Sequence, residues 1–402
     1  LTGLNKGAFY NCVGLMSITL GSGVISIENN AFHECYKLVE IINKSKLEIE
    51  KGSDDNGKIG KNALFIHNGE SVIENNGEYK FIVFEDENYL LGYIGNGREL
   101  VLPENYNNER YHIYKYAFCC QFEIISVKIG DGVVSIGEGA FDECFGLVSI
   151  TIGGNVTSIG DNVVDGSCKL VEIINDSSLT IKAGTSEYGG IGQYALFVHK
   201  GESVINNENG FLFFVRGGKN YMIGYDGYER DLKFPDSYKG EKYCIYNNAF
   251  MCCVQIGSVT LGKGVEAIGE RAFEGCYFLS DLYYEGDIVS WCTLDGVGNL
   301  QDYNRRIYLD GKELKGDLII PEGVTEIKPL AFYYCSGLTS VIIPNSVTSI
   351  GERAFYNCTS LTSVTIGRGV KNIGNSAFAS CDKLVEVINK SDLHAENEGY
   401  SI

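Results

Sequence analysis

The sequence has 402 residues, a formal net charge of −19 and a hydrophobic content of 44%. Because the charge is acidic and no run of lysine or arginine forms a basic stripe, nucleic acid is not expected as a partner. No stretch approaches the roughly 18 to 20 consecutive apolar residues that span a bilayer, so membrane insertion within this chain is not expected either.

A repeated motif runs along the chain. Residues 350–366 read IGERAFYNCTSLTSVTI, and residues 373–387 repeat the pattern as IGNSAFASCDKLVEV, 23 residues later. A fixed period of this length, with apolar residues in fixed slots, predicts a solenoid whose coils bury their hydrophobic faces against one another. The apolar slot four residues before the motif alanine or valine marks about twelve coils, at Leu4, Ile27, Ile59, Ile113, Ile136, Ile159, Ile191, Ile245, Ile268, Ile327, Ile350 and Ile373.

A second, longer period lies over the short one. Motif alanines recur 132 residues apart, as the pairs Ala8 and Ala140, Ala63 and Ala195, and Ala117 and Ala249. We therefore expect one solenoid domain over residues 1–402 that contains two duplicated modules, at about 8–139 and 140–271. Insertions are expected at about 44–112, 176–244 and 281–315, and regular coils at about 318–389.

The first two insertions share a local pattern. Aromatic, β-prone runs at 81–84 and 89–93 flank a short polar loop, and the runs at 211–215 and 221–225 repeat the arrangement. This pattern predicts a β-hairpin in each insertion, packed on the flank of the solenoid. The third insertion differs from these and contains the only tryptophan, Trp291.

Each regular coil combines a strand pattern with a turn pattern. Val364 and Ile366 alternate like a strand with one buried face, so equivalent strands of successive coils should stack in parallel. Residues 352–358 are predicted to form a short helical turn, because Pro329 or a carboxylate fills its first position in other coils. Phe355 is expected to be a main filler of the core.

The motif at 350–366 resembles that of the BspA-like leucine-rich repeat proteins, a family of bacterial surface proteins, and the resemblance covers most of the chain. It implies a right-handed leucine-rich repeat solenoid with stacked parallel β-strands and short helical turns, here interrupted by inserted β-hairpins. It also implies an extracellular or cell-surface location and a role in adhesion or protein binding. The family supplies no catalytic motif to carry over.

The 14 cysteines mostly follow the repeat. Seven of them lie four residues after the motif alanine, namely Cys12, Cys35, Cys144, Cys276, Cys335, Cys358 and Cys381. Stacked coils place them about 4.8 Å apart, but side chains in one slot point the same way, so buried reduced thiols are favoured over disulfides. The doublets Cys119-Cys120 and Cys252-Cys253 remain open. Without a CxxC pair or a close histidine pair, no metal and no cofactor is expected.

The closest approach to an acid–base pair occurs twice. His67 precedes Glu70 by three residues, and His199 precedes Glu202 in the same way. Their presence in both duplicated insertions, within a polar turn, favours a shared structural role over catalysis. We therefore assign no catalytic residue and predict that the chain is not an enzyme.

The strand positions that face outward offer a candidate binding surface. Serine predominates at the third position of each strand, but acids replace it in three coils that have an isoleucine two residues later. A solvated strand face, with those isoleucines covered by the inserted hairpins, is favoured over a ligand patch. The candidate surface comprises Glu40, Lys128, Glu172, Asp281, Tyr283 and Glu386.

Two functions are compatible with this pattern. The first is a noncatalytic, exported bacterial repeat protein that mediates adhesion by binding a protein or a glycan. The alternative is an architectural spacer within a larger surface protein. Because Leu1 replaces an initiator methionine and the first residues already lie inside a repeat, we expect the chain to be a fragment of a longer or processed protein.

Overall fold

The structure is a computed structural model that describes residues 2–300 and 305–393. The chain divides into two compact units, Leu1–Ser203 and Val204–Ile402. Each unit is built from coils whose strands pair in parallel with the next coil, which confirms the predicted repeat solenoid.

The described part of the first unit contains a short segment with helical hydrogen bonding, α1 (Asp55–Lys58), and sixteen strands. The strands are β1 (Gly3–Leu4), β2 (Ser17–Leu20), β3 (Ser26–Ile27), β4 (Glu40–Asn43), β5 (Phe65–His67), β6 (Glu74–Asn76), β7 (Tyr79–Phe84), β8 (Glu87–Tyr93), β9 (Glu99–Val101), β10 (Tyr111–Ile113), β11 (Ser126–Ile129), β12 (Val133–Ile136), β13 (Ser149–Ile152), β14 (Ser158–Ile159), β15 (Glu172–Asn175) and β16 (Phe197–His199).

The described part of the second unit contains α2 (Ile288–Thr293), a 3-10 helix (Val297–Leu300) and seventeen strands. The strands are β17 (Asn206–Glu208), β18 (Phe211–Arg216), β19 (Lys219–Tyr225), β20 (Asp231–Lys233), β21 (Tyr243–Ile245), β22 (Ser258–Leu261), β23 (Val265–Ile268), β24 (Asp281–Tyr284), β25 (Arg306–Leu309), β26 (Lys312–Glu313), β27 (Gly316–Ile319), β28 (Glu326–Ile327), β29 (Leu338–Ile343), β30 (Ser349–Ile350), β31 (Ser363–Ile366), β32 (Asn372–Ile373) and β33 (Glu386–Asn389).

Strand pairing follows the repeat. Each coil contributes one strand to a sheet of longer strands, for example β16-β15-β13-β11-β9 in the first unit and β27-β29-β31-β33 in the second. Shorter strands form a second line of sheets, such as β28-β30-β32. Ser363 pairs with Ser340 of the preceding coil and with Glu386 of the following one. Equivalent motif positions therefore lie side by side, and this is why the sequence pattern predicts neighbours in space.

The motif turn differs from the predicted helical turn. Arg353 and Asn357 have φ angles of 50° and 58°, which an α-helix excludes. Alternate amides point along the stacking direction, so that Arg353 N–H donates to Asn375 O at 3.0 Å and Phe355 N–H donates to Ala377 O at 2.8 Å. An α-helix would direct these amides back into its own coil. Bonding between coils therefore replaces helix formation in this segment.

The motif glycine has a steric function. The predicted absence of a required positive φ angle agrees with Gly351, whose backbone lies outside that region. A Cβ atom on Gly351 would lie 2.3 Å from the backbone nitrogen of Pro329 in the preceding coil. Close approach of two backbones therefore explains the glycine at this position.

The core consists of apolar side chains stacked from coil to coil. Phe355 is fully buried, as predicted. Its ring stacks on Phe332 at a centroid distance of 4.9 Å and on Phe378 at 5.2 Å. Phe118 and Phe141 make the same stack in the first unit, at 5.0 Å. The ring spacing matches the separation of neighbouring strands, so each phenylalanine fills one layer.

The repeat cysteines are part of this packing. All fourteen cysteines are free thiols, as favoured by the sequence. The Cys144 thiol donates to Phe118 O at 3.1 Å, and the Cys358 thiol donates to Phe332 O at 3.3 Å. Ser167 occupies the equivalent slot in another coil, where its hydroxyl donates to Phe141 O at 2.7 Å. The slot therefore takes a small side chain that can donate one hydrogen bond.

The insertions continue the sheets. The predicted hairpins are present as β7-β8 and β18-β19, with tight turns at positive φ angles. They do not pack on a flank, because β8 pairs in parallel with β10 and β19 pairs in parallel with β21. In the third insertion, Trp291 is fully buried and its Nε1–H donates to Ala331 O at 2.9 Å.

Replacement of Phe355 by alanine tests the layered core. Because the ring is fully buried between two others, Phe355→Ala should reduce the free energy of unfolding by about 3 to 5 kcal/mol. Urea unfolding measures the change. Phe278→Ala is the control, since Phe278 lies in the same unit with 61% of its surface exposed. Equal stability of both variants would contradict the packing.

Alkylation tests the thiol assignment. Burial raises the pKa values of Cys144 and Cys292 to about 12, so both should resist iodoacetamide at pH 8 in the folded chain. Cys12 is partly exposed and should react first. All fourteen cysteines should react after denaturation without a reducing agent, as measured by mass spectrometry. Pairs that stay unlabelled until reduction would reveal disulfides.

Candidate functional site

The most elaborate polar site of the described chain surrounds a buried carboxylate. Glu40 in β4 has no exposed surface. Oε2 of Glu40 accepts hydrogen bonds from the hydroxyls of Ser17, at 2.5 Å, and Ser71, at 2.7 Å. Oε1 accepts from Val72 N–H at 2.6 Å and lies 3.2 Å from His67 Nε2. We call Glu40 and these four partners the Glu40 clasp.

The same arrangement occurs 132 residues later. Glu172 in β15 is also fully buried. Its Oε2 accepts from the hydroxyls of Ser149 and Ser203, each at 2.7 Å, and its Oε1 lies 3.1 Å from His199 Nε2. We call this set the Glu172 clasp. Its close agreement with the first shows that the duplicated modules preserve the polar site as well as the fold.

Strand register brings the partners of each clasp together. Ser17 pairs with Glu40 because β2 and β4 are neighbours in register. On the other side of β4, β5 places His67 beside Ile42. Residues 68–71 then turn back and return Ser71 to the carboxylate. One coil and the insertion that follows it therefore close on the same glutamate.

The hydrogen bonds determine the ionisation of Glu40. Burial by itself would raise the pKa of this carboxyl, but the hydrogen bonds from Ser17, Ser71, Val72 and His67 together outweigh burial and lower the pKa. The carboxylate is therefore charged at neutral pH. A buried charge is tolerated when it is satisfied in this way.

The geometry does not support acid–base catalysis. His67 Nδ1 accepts from Gly69 N–H at 3.2 Å, which leaves the proton on Nε2, facing Glu40. Both serine hydroxyls donate to the carboxylate, and neither is directed at the imidazole. A nucleophilic triad needs the histidine between the hydroxyl and the acid. Glu40, and not the expected Glu70, is the partner of His67, so the clasp fastens the insertion.

A buried lysine makes a second fastening, which the sequence analysis did not identify. Lys37 is 2% exposed, and its Nζ donates to Ala117 O at 2.7 Å. Burial lowers the pKa of this amine. Ala117 lies in the coil after the insertion, so the contact joins the coils on either side of it. Lys169, at the equivalent position of the second module, is buried as well. The spacing LysLeuValGlu, present in both modules, is the signal that could have indicated the site.

Burial changes the candidate surface proposed from the sequence. Glu40 and Glu172 must be removed from it, because both are fully buried. Lys128 in β11 is exposed, next to Val101 of β9, which is 65% exposed. Glu386 is exposed on β33. Asp281 and Tyr283 lie on β24, partly exposed.

Asp281 and Tyr283 belong to one sheet face of the second unit. Register aligns a row across five strands, from β20 to β26, at Lys233, Thr260, Tyr283, Tyr308 and Glu313. The rings of Tyr283 and Tyr308 stack at 4.5 Å with an interplanar angle of 19°. Beside them, Arg306 Nη2 donates to Asp281 Oδ2 at 2.8 Å. We call the five-residue row together with Asp281 and Arg306 the tyrosine face.

Two searches bear on other kinds of site. Within residues 2–300 and 305–393, no three or more His, Cys, Asp or Glu side chains are grouped to hold a metal ion. Across the same ranges, no helix is both long and apolar enough to cross a membrane.

The fold and sequence together define the family. The model of the BspA type leucine rich repeat region matches residues 1–56, 111–186, 231–291 and 311–399 in six copies, which is more than half of the chain. The chain therefore belongs to the BspA-type leucine-rich repeat family, as the motif predicted. No curated protein matches the sequence.

Solved structures of similar proteins come from several bacteria. A leucine rich cell surface protein of Faecalibacterium prausnitzii A2-165 is 20% identical, over 81% of this chain and 96% of that one, with a TM-score of 0.26. The leucine rich repeat protein TpLRR of T. pallidum is 22% identical, over 46% and 83%, with a TM-score of 0.27. The pneumococcal vaccine antigen PcpA is 14% identical, over 80% and 88%, with a TM-score of 0.25.

Glu40→Gln tests whether the carboxylate of the Glu40 clasp stabilises the fold. The amide loses the charge and turns a donor toward other donors, so the free energy of unfolding at pH 7 should fall by about 1 to 3 kcal/mol. Amides of β5 should also exchange faster with solvent.

The pH dependence has a defined sign. Because the pKa of Glu40 is lowered in the folded state, its contribution is complete above the unfolded value of about 4.3 and disappears as pH falls through the folded value. Urea unfolding between pH 7 and 3 should show this loss in the parent and not in Glu40→Gln. Glu70→Gln is the control, since Glu70 is exposed. Equal effects of the two substitutions would contradict the clasp.

Proposed function

We propose that this chain is a noncatalytic repeat protein of the bacterial surface that binds a protein partner through the tyrosine face. Membership of the BspA-type family and the cell surface protein among its structural relatives support the location. The observation that carries the proposal is the row of aromatic and charged side chains across β20 to β26.

The composition of the tyrosine face suits a protein interface. Tyrosine and arginine are enriched where proteins contact one another, since each combines a large apolar area with hydrogen-bonding capacity. Tyr283 and Tyr308 are ordered by their mutual stacking, and Arg306 is held by Asp281. Side chains that are already ordered lose little conformational entropy on binding.

The ring geometry favours a protein over a glycan. A sugar stacks best on an open ring face. Tyr283 and Tyr308 cover one face of each other, and their strand neighbours in the row are Thr260 and Glu313. The rings therefore offer mainly edges and hydroxyl groups, which match the mixed polar and apolar surface of a protein.

The architectural spacer remains the second candidate. The Glu40 and Glu172 clasps fasten each duplicated insertion into its sheet, which is a feature that a rigid spacer would also need. A spacer, however, gives no reason for the aligned row of the tyrosine face.

Binding measurements separate the two candidates. The chain should bind at least one purified extracellular-matrix protein or mucin in a panel, and Tyr283→Ala with Tyr308→Ala should weaken that binding at least about tenfold. Surface plasmon resonance provides the affinities. Tyr277→Ala is the matched control, since Tyr277 lies in the same unit, is 81% exposed and is outside the row. Saturable binding to a glycan array alone would contradict a protein partner, and no saturable binding to either would favour the spacer.

A further inference from the structure

A third copy of the clasp sequence lies on β33. Residues 384–389 read LVEVIN, where 38–43 and 170–175 both read LVEIIN. Glu386 corresponds to Glu40 and Glu172, and Ser363 corresponds to Ser17 because it pairs with Glu386 across neighbouring strands. The carboxylate and the serine position of the preceding coil are therefore present a third time.

The turn that follows β33 also matches the other two copies. The Ser391 hydroxyl donates to Asn389 Oδ1 at 2.6 Å, and Asn389 Nδ2 donates to Leu393 O at 3.1 Å. The same bonds join Ser45 to Asn43 and Ser177 to Asn175, each at 2.6 Å. The backbone is thus shaped as it is where the two insertions begin.

Exposure distinguishes the third copy. Glu386 is exposed, whereas Glu40 and Glu172 are fully buried. Val385 is 87% exposed and Ile388 is 44% exposed. Their counterparts in the first two copies are buried, namely Val39, Ile42, Val171 and Ile174. Within the described residues, β33 is the edge of its sheet.

The end of the core is open at the same place. A cavity of about 400 Å³ is lined by Phe378, Cys381 and Leu384, among others. The equivalent side chains of the first module, Phe32, Cys35 and Leu38, are buried in a cluster to which the insertion contributes Leu47, Ile49, Ile59 and Ala63.

We propose that the outer edge of β33 is a docking site for a separate polypeptide segment with the sequence character of residues 46–73. This occupant is chosen because segments of this kind cover the two buried copies. Its strand would add in parallel to β33 as β5 adds to β4, so that the equivalents of Phe65, Ile66 and His67 pair with Glu386, Val387 and Ile388. The equivalents of His67 and Ser71 would then bond to the Glu386 carboxylate.

This inference does not depend on the proposed function of the tyrosine face. The docking site uses main-chain pairing together with the Glu386 carboxylate. The tyrosine face lies on a different sheet of the second unit. Each proposal can therefore fail alone.

Binding of a synthetic peptide to the full chain tests the docking site. The peptide covers residues 46–73, and isothermal calorimetry measures its affinity. We expect saturable binding in one-to-one stoichiometry, with amide protection at residues 386–389 on hydrogen exchange. Glu386→Gln in the chain, or His67→Ala in the peptide, should weaken binding at least about tenfold, because each removes a bond to the charged carboxylate.

Two controls isolate the edge. Glu70→Ala in the peptide should leave binding unchanged, since Glu70 is exposed in the first clasp. Glu352→Gln in the chain should also leave it unchanged, because Glu352 is an exposed carboxylate of the same unit outside β33. Absence of binding, or binding that Glu386→Gln does not weaken, would overturn the proposal. Association of two chains through β33 that the peptide cannot displace would overturn it too, since the occupant would then be a second copy.

Discussion

Hydrogen bonding from one coil to the next is the constraint on which this structure depends. In the longer strands the bonds belong to parallel ladders. In the motif turn they come from alternate amides, and the phenylalanine N–H reaches the next coil at 2.8 Å from Phe118, Phe250, Phe332 and Phe355 alike. Because one strand spacing is fixed everywhere, the motif glycine, the stacked rings and the thiol donors all follow from it.

The insertions have to satisfy the same constraint. A hairpin lying on a flank would leave the edges of two coils without partners, whereas β8 and β19 continue the sheets. Each insertion also brings polar groups under cover. Glu40 is stable there because four donors surround it, and Lys37 because it reaches a carbonyl oxygen. The duplicated glutamates thus hold the insertions in place and are not part of a ligand surface.

Periodicity predicted the layers of the core and misjudged the groups that join distant segments. Phe355 and the repeat cysteines were found from their spacing because each coil repeats the same environment. The helical turn at 352–358 was wrong, since local residue preferences do not reveal that amides are taken up by the next coil. Glu40 was placed on a surface because its strand position faces outward elsewhere. Its burial depends on β5 pairing with β4 in the insertion, and only the matching histidines of the two modules signalled that a buried partner was needed.

Membership of the family defines the architecture, and the departures from the plain repeat distinguish this chain. Those departures are supported by contacts between coils, so the order of the coil-to-coil bonds is the central claim. Amide hydrogen exchange resolved to single residues by mass spectrometry tests it most directly. The amides of Phe118, Phe250 and Phe355 should be protected to the same degree as those of their neighbouring strands, in alternation with faster amides in the same turns. Exchange of these amides at the rate of an unstructured peptide would contradict the account.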